Sequence, residues 1–170
     1  MTWTAPAVEP ADGPLSGDDR PILESHLAWQ RGTLLTKCAG LTGEQLAERT
    51  VPPSGLSLLG LLRHMAKVER NWFRERIGGQ RLAPMYDPAG GVDADFDNLD
   101  PARASDDYDR LTAECALADQ AAAARSFDDT ITVGDDVWSV RMVYLHMIGE
   151  YARHNGHADL LRERIDGATG

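Results

Sequence analysis

The chain of 170 residues carries a formal net charge of −10, is 42% hydrophobic and contains two cysteines. This length suffices to bury a core in one domain without disulfides or a structural metal, and the widely separated Cys38 and Cys115 favour a reducing compartment. The acidic balance disfavours DNA, RNA and anionic membranes as partners, and no run of about 18 apolar residues could span a bilayer, so we expect a cytoplasmic protein.

The N-terminal stretch differs in composition from the rest of the chain. Residues 1–17 are rich in Pro, Ala and Gly with little to bury, so we predict a disordered tail there. The folded domain is predicted over residues 18–170. An acidic cap before Pro21 and apolar residues at helical spacing predict a first helix over residues 19–39, and a capping box at Thr42 predicts a short helix after it.

A second long helix is predicted over residues 57–77, because Ser57 can cap its start and apolar residues repeat at helical spacing up to Gly78. His64 lies at the edge of that apolar stripe. From residue 84 to about residue 103 the sequence is acidic and interrupted by Pro and Gly. This composition predicts a long, solvated surface loop.

The acidic loop has a superficial likeness to a calcium-binding loop. Counting from Asp93, however, Asn98 stands where such a loop needs its turn glycine, and Ala104 stands where it needs a bidentate glutamate. We therefore interpret the run as a solvated acidic loop without a calcium site.

The C-terminal half predicts two more long helices with a hairpin between them. Ser105 can cap a helix over residues 105–125, and two short apolar runs around Gly134 predict the hairpin. The fourth main helix is predicted over residues 139–165. The predicted fold class is therefore all-α: an up-and-down four-helix bundle with a long acidic loop and a short hairpin before the last helix.

Three polar residues interrupt the apolar stripe of the fourth main helix. At about 100° per residue, Glu150, His154 and His157 share one face with core residues. Glu150 and His154 are four residues apart, so their Cβ atoms stand roughly 6 Å apart and both side chains can reach one ion. His64, on the second long helix, is the natural third donor inside a helical bundle.

Two imidazoles and one carboxylate form a catalytic type of donor set for zinc or another divalent transition metal. A metal would offset the desolvation of all three side chains at once. Taken singly, the same residues also fit a solvated glutamate and satisfied histidines at the edge of the core. Spacing alone does not select one pair, because His146 and Glu150 are also four residues apart and His26 is a further candidate donor.

Two helical segments, SLLGLLRHMAKVERNWF and YLHMIGEYARHNGHADLLRERIDG, and two shorter ones, LAWQRGTLL and GLTGEQL, stand out in the chain. Together they resemble the DinB-like (YfiT-like) family of metalloenzymes, especially its branch of mycothiol-dependent enzymes. The similarity extends from about residue 18 to residue 167. It implies a four-helix, up-and-down bundle with one open-sided divalent metal, often in a homodimer, and in several members a low-molecular-weight thiol as cosubstrate.

In many members of that family three histidines hold the metal, one from the second long helix and two, spaced four apart, from the fourth. Glu150 stands at the first of those two positions, as in a mycothiol-dependent isomerase of the family. The resemblance therefore implies His64, Glu150 and His154 as metal ligands, with zinc as the first choice, and disfavours His146. We expect no counterpart of that isomerase's additional C-terminal domain, because the sequence ends soon after the fourth helix, so the resemblance does not imply the isomerase's substrate.

We predict a metal-dependent thiol S-transferase or thiol-assisted isomerase that acts on a small electrophile, with mycothiol as cosubstrate. His157, one turn beyond His154, is predicted as a catalytic residue that hydrogen-bonds a ligand or moves a proton. Two other functions stay open. One is a metal-dependent hydrolase of a small amide or ester, in which water replaces the thiol, and the other is a non-enzymatic helical binding protein.

Overall fold

The structure is a computed structural model that describes residues 2–9, 11–91 and 93–169. Helices account for most of these residues. The α-helices in these ranges are α1 (Asp19–Cys38), α2 (Gly43–Ala47), α3 (Leu58–Glu69), α4 (Ala104–Ala123) and α5 (Val140–Asp166). A π-helical segment, Arg70–Ile77, continues α3, and single 3-10 turns lie at Pro88–Gly90 and Pro101–Arg103. The strands β1 (Thr130–Val133) and β2 (Asp136–Ser139) form a hairpin.

Serine caps begin two of the long helices, whereas the cap predicted at Ser105 is wrong, because α4 begins at Ala104 after Arg103 and has no side-chain cap. The Ser57 hydroxyl accepts a hydrogen bond from the Gly60 amide at 3.1 Å, and the Ser139 hydroxyl accepts one from the Met142 amide at 3.1 Å. α5 ends where Gly167 adopts a φ of 80°, a left-handed conformation that glycine reaches without steric cost. The spans predicted for the four main helices are confirmed to within about two residues at each end.

The second long helix is not uniform, although the sequence predicts one continuous helix there. After Glu69 the backbone widens into the π-helical segment, and the Gly78 amide donates to the Phe73 carbonyl, five residues earlier, at 2.8 Å. π-Helical turns of this kind are frequent at functional sites. The widened segment lies just beyond the part of α3 that carries His64.

Side-chain contacts show that α3 and α4 run parallel. Arg63 binds Asp107 and, seven residues further along both helices, Arg70 binds Glu114. If the two helices ran in opposite directions, a later residue of one would meet an earlier residue of the other. The helices α3 and α4 therefore point the same way.

The helix α5 runs antiparallel to α3 and parallel to α1. His64 of α3 contacts His154 of α5. Trp72, which follows α3 in the π-helical segment, contacts His146, which precedes His154 on α5. Along α1, in contrast, the successive partners of α5 advance together, from the pair Gln30 and Asn155 to the pair Lys37 and Asp159. The four long helices thus run up, down, down and up in chain order.

The predicted up-and-down alternation is therefore wrong at the step from α3 to α4. The cause is the connection over residues 78–103, which we call the return segment and of which the structure describes all but residue 92. The helical stretch before it, residues 58–77, is about 30 Å long at 1.5 Å per residue. A connection of this length can run back along that whole helix before α4 begins.

The helix α3 lies at the centre of the core. Most of its side chains are buried, including Leu58, Leu59, Leu61, Leu62 and Met65, which are fully inaccessible. Such burial on several faces follows from its position between α4, α5 and the return segment. The half-buried side chains of α3, such as His64, are therefore the ones that can face a ligand.

The predicted hairpin is confirmed. Its strands are antiparallel, with Thr130 opposite Ser139 and Val133 opposite Asp136. Gly134 has a φ of 61° in the turn between them, a conformation that favours glycine. The hairpin brings the β2 residue Trp138 onto the π-helical segment, where its ring stacks on Trp72 with centroids 5.0 Å apart.

The start of the N-terminal stretch packs on the helical domain instead of forming part of a disordered tail. The Ala5 amide donates to the Leu41 carbonyl at 2.9 Å, and the Gly40 amide donates to the Ala5 carbonyl at 2.8 Å. Trp3 meets the Tyr108 ring edge to face at 6.1 Å. This backbone pairing and the apolar area of one tryptophan stabilise residues 3–5 in a segment whose average composition is that of a disordered tail.

Candidate metal centre

His64, Glu150 and His154 come together in the structure. One ligating atom from each of them lies within 4.8 Å of the other two. His154 Nε2 is 3.7 Å from Glu150 Oε2, and the His64 and His154 rings meet edge to face with centroids 4.8 Å apart. The three residues that the sequence singles out as metal ligands thus form one group, which we call the donor cluster.

Two helices position the donor cluster. Glu150 and His154 lie on the same side of α5 because residues four apart share a helix face, and the antiparallel α3 brings His64 opposite them. The side chains of His64, Glu150 and His154 are 22%, 18% and 10% exposed. A small ligand can therefore reach the cluster although most of each side chain is buried.

The donor chemistry of the cluster fits a divalent transition metal. Two imidazole nitrogens and a carboxylate oxygen are typical ligands of catalytic zinc, and three protein ligands leave a position for water or substrate. The separation of at most 4.8 Å between the donor atoms allows small side-chain rotations to bring all three to about 2.1 Å from one ion.

Asp95, on the return segment, contacts the donor cluster from behind His64. Its Oδ2 lies 2.7 Å from His64 Nδ1, and its Oδ1 lies 3.0 Å from Lys67 Nζ. The residue is only 1% exposed. Burial alone would raise the pKa of the carboxyl, but the hydrogen bonds to His64 and Lys67 outweigh it and hold the pKa at about 2. Asp95 is therefore ionised at neutral pH and fixes the His64 ring.

The contact with Asp95 also determines which nitrogen of His64 is available. A carboxylate only accepts hydrogen bonds, so His64 Nδ1 carries the proton and Nε2 keeps its lone pair. A carboxylate bound to the second nitrogen of a ligating histidine is a common feature of metal sites. The prediction of a solvated acidic loop is therefore wrong at Asp95, which is buried. The apolar residues on either side of it, Ala94 and Phe96, were the feature of the sequence that could have indicated this burial.

The backbone around Asp95 is held by neighbouring side chains. Arg63 donates from Nε to the Asp95 carbonyl at 2.9 Å and from Nη2 to the Ala94 carbonyl at 3.0 Å. The Phe96 ring stacks on the His64 ring with centroids 4.9 Å apart. A Cβ atom at Gly60 would lie 2.8 Å from the Phe96 ring, so glycine at this position permits the close approach.

His154 is neutral at pH 7. Burial lowers the pKa of its imidazole to about 4, and the electrostatic influence of the neighbouring His64, His157 and Arg153 side chains lowers the pKa further. A metal binds the neutral imidazole, so His154 has no proton to release before it can ligate.

His157 lies beside the donor cluster, against one of its members. Its Nδ1 is 3.4 Å from Nδ1 of His154. His154 directs Nε2 towards Glu150, so its Nδ1 faces His157, and the tautomers of the two rings decide which Nδ1 donates. The catalytic role predicted for His157 stays a prediction.

The structure places the two competing histidines elsewhere. His146 packs between Trp72 and Trp138, with ring centroids 4.4 and 5.4 Å away, and burial lowers the pKa of its imidazole. His26 stacks on Trp29 of the same helix at 5.6 Å. Neither of them is in the donor cluster found among the residues that the structure describes.

Comparison with known proteins identifies the family of the chain. The chain matches the model of the mycothiol S-transferase family over residues 22–167. The match covers most of the chain, so the protein belongs to this family, which is DinB-like. No curated protein and no solved structure gives a significant match. In the part of the chain that the structure describes, no helix combines the length and the apolar character needed to cross a membrane.

Proposed function

We propose that this protein is a metal-dependent mycothiol S-transferase that acts on a small electrophile. The observation that carries the proposal is the convergence of His64, Glu150 and His154 in a chain of the mycothiol S-transferase family. These three side chains would hold a divalent metal, with zinc as our first choice. When bound, such a metal would favour the thiolate form of a thiol at neutral pH.

The surrounding residues prepare the cluster for this role. Asp95 keeps the His64 proton on Nδ1, so the Nε2 lone pair is available to the cluster. Phe96 limits rotation of the His64 ring by stacking on it, and Arg63 holds the backbone that carries Asp95. The low pKa of His154 keeps a second imidazole neutral at the pH where a thiol is used.

We propose that His157 acts through His154 as a positioning residue. In this assignment the N–H group at His154 Nδ1 donates a hydrogen bond to His157 Nδ1. This hydrogen bond fixes the tautomer in which His154 Nε2 is free to bind a metal. The 3.4 Å contact supports this role over direct proton transfer to or from a substrate, because it joins His157 to a candidate ligand.

The proposed reaction forms a thioether. The thiol sulfur bonds to an electrophilic carbon, the leaving group departs with the bonding electron pair, and the thiol proton passes to water. The nucleophilic sulfur belongs to the cosubstrate, because burial raises the pKa of Cys38 to about 12 and also raises the pKa of Cys115. Both thiols of the chain stay protonated at neutral pH.

The test uses protein purified without a histidine tag, depleted of metal and then titrated with zinc. The zinc-loaded protein is mixed with mycothiol and 1-chloro-2,4-dinitrobenzene, and thioether and chloride are measured. We expect product to form faster than the uncatalysed reaction only when both zinc-loaded protein and mycothiol are present.

The alternative functions are tested with the same zinc-loaded protein, which is offered a panel of small esters, amides and isomerisable electrophiles with and without mycothiol. Turnover of an ester or amide without mycothiol would support the hydrolase. A rearranged product with the thiol recovered unchanged would support the isomerase. A protein that binds no zinc would overturn the metal-dependent proposal and favour the non-enzymatic helical binding protein.

A further inference from the structure

Arg153 lies at the edge of the donor cluster. Its Nη1 is 3.4 Å from Oε1 of Glu150, whereas the other oxygen of that carboxylate, Oε2, faces Nε2 of His154. Within the described part of the chain Arg153 forms no hydrogen bond, and its side chain is 66% exposed. Its N–H donors are therefore available to a ligand that approaches the cluster from solvent.

A second arginine, Arg76, lies on the facing π-helical segment. Its guanidinium is 4.2 Å from the centre of the Trp72 ring, and its Nε donates to Asn71 Oδ1 at 3.1 Å. Trp72 in turn packs on His146, one turn before Glu150 on α5, with ring centroids 4.4 Å apart. Arg76 forms no salt bridge with any residue that the structure describes, so its terminal nitrogens are not bound to a carboxylate.

Both arginines act on the same histidine. Burial lowers the pKa of the His146 imidazole, and the Glu150 carboxylate opposes this shift. The charges of Arg153 and Arg76 both add to the lowering of this pKa, so both guanidinium groups lie near His146. At about 100° per residue, His146, Glu150 and Arg153 fall within roughly 60° of one another on α5. Arg76 and Arg153 therefore lie on one side of the donor cluster, and we call this pair the cationic edge.

The return segment does not cover the cationic edge. Asp95 and Phe96 of that segment contact the His64 ring. In contrast, neither Arg76 nor Arg153 forms a hydrogen bond or an ion pair with the described residues of the segment. A ligand can thus reach the cationic edge from solvent and lie next to the donor cluster at the same time.

The charge of the cationic edge favours an anion although the whole chain is acidic. The formal net charge is −10, but at physiological ionic strength charges further away than about 8 Å are largely screened. A ligand beside Glu150 therefore responds mainly to the nearest charges, which include the two guanidinium groups. A guanidinium binds carboxylate, sulfonate and phosphate groups through paired N–H donors.

Aromatic rings add apolar surface to this side of the cluster. Trp72 and Trp138 stack with centroids 5.0 Å apart, and His146 packs between them. Both tryptophans are half-buried, so part of each ring is accessible to solvent. Guanidinium groups beside accessible rings suit a ligand with an anionic group on an apolar body.

We propose that Arg76 and Arg153 bind the anionic group of the electrophile and so select anionic electrophiles for the candidate metal centre. This inference rests on the function proposed above and adds the chemical class of the second substrate. It predicts that an anionic compound binds better than a neutral compound of the same shape.

Binding is tested without turnover, with two unreactive probes of similar shape: the anionic 4-nitrobenzenesulfonate and the neutral methyl 4-nitrophenyl sulfone. Zinc-loaded protein is titrated calorimetrically with each probe, and wild type should bind the sulfonate at least about 10-fold more tightly than the sulfone. Arg153→Gln and Arg76→Gln should each bind the sulfonate at least about 5-fold more weakly and the sulfone like wild type. Arg153→Lys keeps the charge without the planar donor group and should recover only part of the affinity.

Arg164→Gln is the matched control, because Arg164 is an exposed arginine on the same helix, and it should bind both probes like wild type. Equal affinity of wild type for the two probes would overturn the inference, as would unchanged sulfonate binding in both Arg153→Gln and Arg76→Gln. A sulfonate preference that survives in both variants and disappears when zinc is removed would also overturn it, because the probe would then bind the metal.

Selection during turnover is measured with mycothiol and two electrophiles, 4-chloro-3,5-dinitrobenzoate and its neutral amide, each corrected for its uncatalysed rate. Wild type should have the higher kcat/KM for the benzoate, and Arg153→Gln should raise KM for the benzoate alone. Equal kcat/KM for both electrophiles would overturn the selection. Turnover of neither electrophile, with the sulfonate preference intact, would instead overturn the proposed function, so the two failures are distinguishable.

Discussion

Asp95 Oδ2 and His64 Nδ1 lie 2.7 Å apart, although 31 positions separate the two residues in the chain. The return segment runs back along α3 and brings the carboxylate to the nitrogen that does not face the donor cluster. Because Asp95 is buried and ionised, its hydrogen bond fixes both the orientation and the tautomer of the imidazole. This hydrogen bond attaches the return segment to the candidate metal centre.

Replacing Asp95 with Asn should weaken zinc binding about 10- to 100-fold, because an amide holds the His64 proton on Nδ1 less strongly than a carboxylate. Zinc affinity is measured by competition with a chromophoric chelator, and the His64 tautomer by nitrogen NMR of metal-free protein. Asp97→Asn is the control, since Asp97 is exposed and pairs with Arg49 instead. Equal zinc affinity and an unchanged tautomer in Asp95→Asn would contradict the positioning role.

Replacing Glu150 with Gln should reduce bound zinc far more than replacing His146 with Gln. The first change removes a charged donor from the cluster, whereas the second alters a residue that packs between two tryptophans. Zinc per chain is measured by elemental analysis after an identical chelator challenge. Loss of zinc from the His146 variant alone would show that the ligands are assigned wrongly.

Replacing His157 with Phe should reduce zinc affinity several-fold by removing the partner of His154 Nδ1. If His157 positions His154, the pH dependence of turnover at saturating zinc keeps its shape. If it transfers a proton in the reaction, one limb of the pH profile disappears. His157→Gln, which can still accept a hydrogen bond, should recover most of the zinc affinity in the first case only.

Glu69 should be the most sensitive charged position for stability. It is fully buried, accepts from Arg31 at 2.7 and 2.8 Å, and accepts from the Tyr151 hydroxyl at 2.8 Å. Glu69→Ala leaves the buried Arg31 without this partner and should lower the free energy of unfolding by about 3–5 kcal/mol. Asp119→Ala removes the other, largely exposed partner of Arg31 and should cost at most about 1 kcal/mol.

Urea denaturation of metal-free protein measures both changes. Similar losses in the Glu69 and Asp119 variants would show that burial of the ion pair does not govern its contribution.

The two cysteines should be unreactive in the folded protein. Burial raises the pKa of Cys38 to about 12, and the pKa of Cys115 is raised mainly by burial and further by the Glu69 carboxylate. Both pKa values lie above pH 8, so both groups are thiols rather than thiolates at that pH. A colorimetric disulfide reagent at pH 8 should label neither residue until denaturant is added, and rapid labelling of either one in the native protein would contradict this expectation.

The sequence by itself determined the features that depend on local geometry. Helical periodicity and caps such as Ser57 and Ser139 specify the four long helices, because each cap bonds within one turn. Glu150 and His154 could be paired from their spacing alone, since residues four apart share a helix face. Resemblance to a known family was needed to prefer the set of His64, Glu150 and His154 over sets that include His146 or His26.

Only the tertiary structure decided how these helices are oriented and what completes the site. The parallel course of α3 and α4 and the burial of Asp95 both depend on the path of the return segment. The sequence of the return segment has no periodic pattern from which this path could be predicted. The segment is held by individual contacts, such as the hydrogen bonds from Arg63 to the backbone of residues 94 and 95. Contacts between residues about 30 positions apart do not repeat with any helical or strand period, so no local rule could place them.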